Sequence, residues 1–172
     1  MQIKGKTPLE KYLNLPEKYP AELLEGEIVM VPSPGRKHQK VSGEIFNRLF
    51  ERVENGELGE VYYEFDVKFD EENVLRPDIV FVSKERLDII KDNWIEGAPD
   101  MVVEVLSPTS ATRDLVVKRD VYEKFGVREY WVVDPVNEEV FVFALKEKRY
   151  ILRCHGKRCD SLVLENFSWG FE

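Results

Sequence analysis

Between residues 100 and 134 the chain reads strand, helix, strand, and that order constrains the fold more than any other feature. Met101-Val102-Val103-Glu104-Val105-Leu106 reads as a strand, and Ser107-Pro108-Thr109-Ser110 breaks it. Arg113 to Phe125 has helical spacing and stops at Gly126, and Glu129 to Asp134 reads as a second strand. Such a unit is a right-handed crossover whose two strands run parallel. The expected fold is α/β, a mixed central β-sheet flanked by α-helices.

Two carboxylates interrupt the apolar runs of this region. Asp78 follows Pro77 and opens Ile79-Val80-Phe81-Val82, and Glu104 lies inside its own strand. An acid among β-branched residues is costly to bury unless a cation or donor meets it. Asp78 alone is no more than a turn residue at a strand start; Glu104 is the stronger signal because its strand is otherwise apolar on both faces. If the two strands are antiparallel neighbours, the carboxylates meet at one sheet edge, where they repel unless a cation sits between them. Hard oxygen ligands of this kind suit Mg²⁺ or Mn²⁺, and the carbonyl of Val105 can add a third donor. Two acids converging with a lysine, Lys118, on one point suggest a divalent-metal site that hydrolyses phosphodiesters.

On a helical wheel for residues 113–125, Lys118 falls mid-stripe with Leu115, Val121, Tyr122 and Phe125. Arg119, Asp120 and Glu123 face away, and Lys124 lies at the margin. A lysine in a buried stripe calls for an anionic partner. Its bland explanation is snorkelling, with the ammonium reaching water past an apolar stem.

The rest of the chain supplies the surroundings. Thr7-Pro8-Leu9-Glu10 is a capping box with Pro at the first helical position, so a short helix follows. Leu23 to Val31 reads as a hairpin turning at Glu25-Gly26. Residues 36–53 read as a helix with His38, Val41, Ile45 and Leu49 on one stripe. His38 therefore points inward; the expected role is a packed or hydrogen-bonded histidine, and the sharper alternative is contact with a substrate phosphate. Val61 to Phe69 alternates and reads as one strand with one wet face, Asp70 to Asn73 as a turn, and Arg76 to Val82 as a strand. Lys84 to Ile90 reads as a short helix, and Val140 to Leu145 and Tyr150 to Cys154 as antiparallel strands.

Composition bounds the rest. The 172 residues suit one domain, residues 1–172, with a sizeable core. No apolar run is long enough to span a membrane, and the first residues lack the apolar segment of a signal peptide, so a cytoplasmic protein is expected. In that compartment Cys154 and Cys159 are expected as free thiols; with His155 they make only three of the four ligands zinc prefers, and a cross-hairpin disulfide is the alternative. The net charge of −8 argues at first against a nucleic-acid partner. Yet residues 56–104, with 14 acidic and 5 basic side chains, hold −9 of it, leaving +1 elsewhere. Residues 35–55 carry 5 basic against 3 acidic side chains; residues 146–158, including Lys146, Lys148 and Arg149, carry 6 basic against Glu147 alone. Such segments either hold a phosphate backbone or keep a hairpin soluble.

The pattern Pro77-Asp78 followed by Glu104-Val105-Leu106 resembles the PD-(D/E)xK nuclease superfamily, the restriction endonuclease-like fold. Leu106 stands where that motif has its lysine. The longer string RPDIV, PDMVVEVLSPTS, Asp114, Lys118, Tyr122 and GVREYWVVDP resembles the Uma-type restriction endonucleases, whose lysine has moved to the following helix. ELLEGEIV and SPGRKHQ, with His38, match as well, and the resemblance covers roughly residues 20–145. It implies a Mg²⁺- or Mn²⁺-dependent DNA endonuclease. Asp78 and Glu104 would hold the metal, and Lys118 would orient or deprotonate the attacking water and offset charge on the phosphorane. His38 and Tyr122 would contact the substrate, and the local positive charge of Lys146, Lys148 and Arg149 is expected to grip the nucleic acid as well. Analogy with nucleases that cut both strands implies a homodimer. The rival expectation is a silent nucleic-acid-binding or interaction domain that kept the fold.

Overall fold

The structure is a computed structural model that describes residues 2–109 and 112–172, with residues 112–114 described through their backbone alone. Ser110 and the side chain of Asp114 thus lie outside the described residues. Helix α1 spans Pro8–Leu13; the Thr7 hydroxyl and the Glu10 carboxylate close the expected capping box. Strands β1 (Ala21–Leu24) and β2 (Glu27–Met30) form the expected hairpin. Its turn residues Glu25 and Gly26 both have positive φ, 50° and 80°, as a two-residue hairpin turn of matching twist requires. Helix α2 spans Arg36–Gly56 and buries the predicted stripe His38, Val41, Ile45 and Leu49, together with Val53.

The segment read as one strand, 61–69, is two. Strand β3 (Gly59–Tyr63) ends at Glu64, whose φ of 47° turns the chain out of the ladder, and β4 (Val67–Lys68) joins a different sheet. Alternation of side chains continues through such a kink, so sequence periodicity passes over it. Strand β5 (Val74–Leu75) pairs with β4, and β6 is Ile79–Ser83, so Asp78 stands just before its strand. A short 3-10 helix covers Lys84–Ile89, followed by β7 (Ile95–Glu96) and β8 (Met101–Val105). Helix α3 is Thr112–Phe125, and β9 is Glu129–Asp134. Strands β10 (Glu139–Lys146), β11 (Arg149–Gly156), β12 (Arg158–Asp160) and β13 (Ser168–Gly170) complete the chain.

The central sheet has six strands in the order β11-β10-β9-β8-β6-β3, a second sheet runs β2-β1-β5-β4-β7, and β12 pairs with β13. Within the central sheet β8 and β9 are parallel, as the crossover predicts, and all other pairs are antiparallel. Alternating side chains divide the core in two. Ile79, Phe81, Met101, Val103 and Trp131 pack against the stripe of α2. Val80, Val82, Val102 and Tyr130 pack against Val121 and Tyr122 of α3, with Leu24, Val67, Leu75 and Ile95 of the five-stranded sheet. Gly59 shows how tightly β3 is seated: at its φ of 147° a Cβ would lie 2.1 Å from the carbonyl oxygen of Val82.

The expectation of free thiols is corrected. Cys154 at the end of β11 and Cys159 in β12 form a disulfide, with Cα atoms 5.9 Å apart. The chain doubles back between the two strands and presents one sulfur to the other, a proximity that spacing alone does not reveal. Among the described residues no helix is long and apolar enough to cross a membrane.

Candidate active site

The antiparallel register of β6 and β8 pairs Ile79 with Val103, so Asp78 and Glu104 stand opposite one another one residue beyond it. Glu104 has the parity of Val102 along β8, so it belongs to the face that carries α3, while Asp78, just before β6, stands at the sheet edge within reach of His38 on α2. Asp78 is held from two sides. Its Oδ2 accepts from the backbone N–H of Val105 at 2.7 Å, and its Oδ1 lies 3.1 Å from Nε2 of His38. The N–H and C=O of a strand residue point to the same side, so the Val105 carbonyl leaves β8 toward Asp78.

Glu104 is buried. Its Oε1 accepts from the Tyr122 hydroxyl at 2.7 Å and lies 3.2 Å from Nζ of Lys118. Lys118 therefore does not snorkel: its ammonium turns inward between two carboxylates. The second is Glu22 of β1, 2% exposed, whose Oε2 and Oε1 lie 2.8 and 3.0 Å from the same Nζ. Glu22 Oε1 also accepts from the N–H of Arg76 at 2.7 Å. The Arg76 guanidinium in turn binds Asp66 at 2.6 Å, and Asp66 accepts from the Tyr12 hydroxyl at 2.9 Å. The chain of contacts ties the hairpin and α1 to the edge where Asp78 and Glu104 face each other.

Sequence reasoning missed Glu22. The signal was the one that found Glu104: an acid inside a strand, Ala21–Leu24, buried at every position.

Burial pushes the Glu104 carboxyl up; the Lys118 charge opposes the rise, Asp78 and Glu22 add to it, and the group ends at about 7. Burial alone would favour a neutral Lys118, but Glu104 and Glu22 outweigh it and hold the ammonium charged well above its ordinary range. With Glu22 in bidentate contact, Lys118 keeps an anionic partner whether or not Glu104 is protonated. For His38, burial works against the charge, but the hydrogen bond and charge of Asp78 more than offset it, and its pKa rises.

The sequence-based site residues do not all converge. Asp78, Glu104, Lys118, Val105 and His38 come together. Tyr122 does too, fully buried, with its hydroxyl donated to Glu104, so it positions that carboxylate. Lys146, Lys148 and Arg149 lie at the turn between β10 and β11, which is at the opposite end of the sheet. Glu104 pairs with Val132 and Val132 with Phe141, whereas Lys146 is five residues further along β10, roughly 17 Å at 3.4 Å per residue. Arg36, Lys37 and Lys40 are exposed on the first turns of α2, with Arg36 and Lys40 on the side of the helix away from His38 and Lys40 paired with Glu44.

Among the described residues no group of three or more His, Cys, Asp or Glu side chains forms a ready cation site. The oxygen donors of Asp78, Glu104 and the Val105 carbonyl nonetheless fit Mg²⁺ or Mn²⁺, which keep several waters and need few protein ligands. Among the described residues the buried Tyr130 hydroxyl has no hydrogen-bond partner, and Glu104, Lys118, Arg119 and Asp78 are the charged groups around it. An unpaired buried hydroxyl in that setting calls for water or an ion.

The sequence profile of the family described as "Uma2: Putative restriction endonuclease" matches residues 9–172, wider than the 20–145 expected. A crystal structure described as a putative nuclease belonging to DUF820, from Anabaena variabilis, superposes with a TM-score of 0.73 at 25% identity, covering 86% of this chain and 84% of that one. No curated protein matches the chain.

Proposed function

Because the chain belongs to the Uma2 family of restriction endonuclease-like proteins, we propose that it is a metal-dependent endonuclease that hydrolyses DNA phosphodiester bonds. The observation that carries this reading is the edge where Asp78 and Glu104 face each other and Lys118 reaches in from α3. Asp78, Glu104 and the Val105 carbonyl would hold Mg²⁺ or Mn²⁺. Such an ion, when bound, supplies a lowered water pKa and a counter-charge for the phosphate.

The chain's own groups do the rest. The Val105 N–H and His38 fix both oxygens of Asp78. Tyr122 donates to Glu104 and fixes its orientation. The Lys118 ammonium, which Glu104 and Glu22 hold in its charged form, would orient the attacking water and offset negative charge on the phosphorane. Glu22 holds that ammonium in place. Arg36, Lys37 and Lys40 supply positive charge for the flanking backbone. A homodimer presenting two such sites would cut both strands of a duplex.

The test is cleavage of plasmid and oligonucleotide DNA with Mg²⁺ or Mn²⁺, with Asp78→Asn and Glu104→Gln as controls. Metal-dependent nicking lost in both variants supports the reading. DNA binding with no cleavage under either metal would make the protein a binding domain that kept the fold.

A further inference from the structure

Next to Asp78, on the α2 side of the sheet, lies a cavity of about 260 Å³ lined by His38, Gln39, Ser42, Phe46, Tyr63 and Glu64. We propose that this cavity receives one unpaired base of the DNA strand being cut, and that Glu64 favours a base carrying an amino group. The inference rests on the nuclease reading and adds the form of DNA that the site takes.

Four observations carry it. First, the cavity is continuous with the catalytic edge, because His38 and Asp78 line it while contacting each other at 3.1 Å. A strand with its phosphate at Asp78 and Glu104 has its neighbouring nucleotide here. Second, the size is below the roughly 300–1,000 Å³ of sites for drug-sized ligands, which suits one planar heterocycle.

Third, the wall is aromatic where water would be expected to bound it. Tyr63 is 65% exposed at the end of β3, an edge strand, and its ring meets Phe46 edge-on at 5.1 Å. Phe46 stacks in turn on Phe50 at 5.8 Å. Exposed aromatic faces beside a phosphate site are the usual platform for an unstacked base.

Fourth, Glu64 is an acid held in a left-handed backbone conformation at the cavity rim. A carboxylate beside a phosphodiester strand weakens binding of the backbone. It gains a use by accepting from the exocyclic amine of a base, as acids do with cytosine. Gln39 and Ser42 can meet the acceptor atoms of the same edge.

The experiment measures binding and cleavage separately. Binding of labelled single-stranded oligodeoxycytidine and oligothymidine, each of about a dozen nucleotides, and of matched duplex is followed by anisotropy in Ca²⁺; cleavage is followed in Mn²⁺. Wild type is expected to bind oligodeoxycytidine more tightly than either oligothymidine or duplex. Tyr63→Ala should weaken that binding about tenfold, the scale of one lost stacking contact. Gly43→Leu should do the same while keeping the melting temperature. Gly43 lines the cavity, a Cβ there meets nothing within 4 Å, and leucine is the better helix former. Glu64→Gln should erase the preference for cytosine over thymine.

If Gly43→Leu folds and binds as wild type, or if single strands bind no better than duplex, the cavity is not a base site, and the nuclease reading is untouched. If the variants change binding as expected but no DNA is cut under any metal, the cavity stands and the nuclease reading falls.

Discussion

At the residue scale, buried acids divide by what meets them. Asp100 and Glu129 are fully buried yet serve the fold. Asp100 accepts from the N–H of Ser83 and lies against Arg86 and Arg128; Glu129 accepts from Trp131, Ser161 and Leu162. Glu104 and Glu22 share one ammonium, so losing Lys118 strands two carboxylates. Lys118→Met fills the stripe but is expected to cost about 3 kcal/mol at neutral pH, the scale of a broken buried pair, measured by urea unfolding. Leucine at position 106 shares the parity of Glu104 along β8, so Leu106→Lys is expected to return part of both stability and cleavage to that variant. A double mutant no better than the single one would show that position 106 cannot deliver an ammonium to the same place.

The pH dependence follows from the same residues. Glu104 and His38 both have folded pKa values above their ordinary ones. Each therefore contributes stability that is complete below its unfolded pKa and is lost as pH rises through the folded value. For Glu104 that window runs from 4.5 to about 7. In EDTA the melting temperature is expected to fall across it. Mn²⁺ should raise the melting temperature more at pH 8 than at pH 5, since a cation takes the ionised carboxylate. Calorimetry at both pH values, with Glu104→Gln flattening the response, checks the assignment.

At the scale of elements, the disulfide closes only the short turn between β11 and β12. Removing it by Cys154→Ser with Cys159→Ser is expected to cost about 2 kcal/mol by loop entropy. The site lies on β6, β8 and α3, so the rise in melting temperature with Mn²⁺ should be unchanged. A lost metal response would mean that the C-terminal strands shape the site. The break at Glu64 acts in the opposite way: a single left-handed residue ends β3, sends β4 into the second sheet and leaves Tyr63 uncovered.

At the scale of the whole molecule, position along the central sheet sorts the basic segments. Arg36, Lys37 and Lys40 stand on the turns of α2 that carry His38, at the end of the sheet where Asp78 lies, and Lys146, Lys148 and Arg149 at the far end. Replacing the first three by alanine is expected to weaken DNA binding and reduce its salt slope by up to about 3. Replacing the second three should change neither by much, because strands held at Asp78 pass that turn at a distance. Equal effects from the two sets would mean that DNA runs the length of the sheet.

The sequence by itself determined the local and the periodic. Apolar runs marked the first hairpin and the strands of the central sheet but not β5, β7, β12 or β13; the stripe on 36–53 marked α2, the strand–helix–strand order the parallel pair β8–β9, and acids in apolar runs Asp78 and Glu104. Those signals come from burial and backbone geometry, which act within a few residues. Packing between distant elements settled that Glu22, 96 residues from Lys118, shares its ammonium, that the Tyr122 hydroxyl is spent on Glu104, that Cys154 meets Cys159, and that Lys146 lies at the other end of the sheet from Glu104. Each is a meeting, or a separation, of groups on different elements. The register and packing of the sheets set these distances, and no spacing along the chain encodes them.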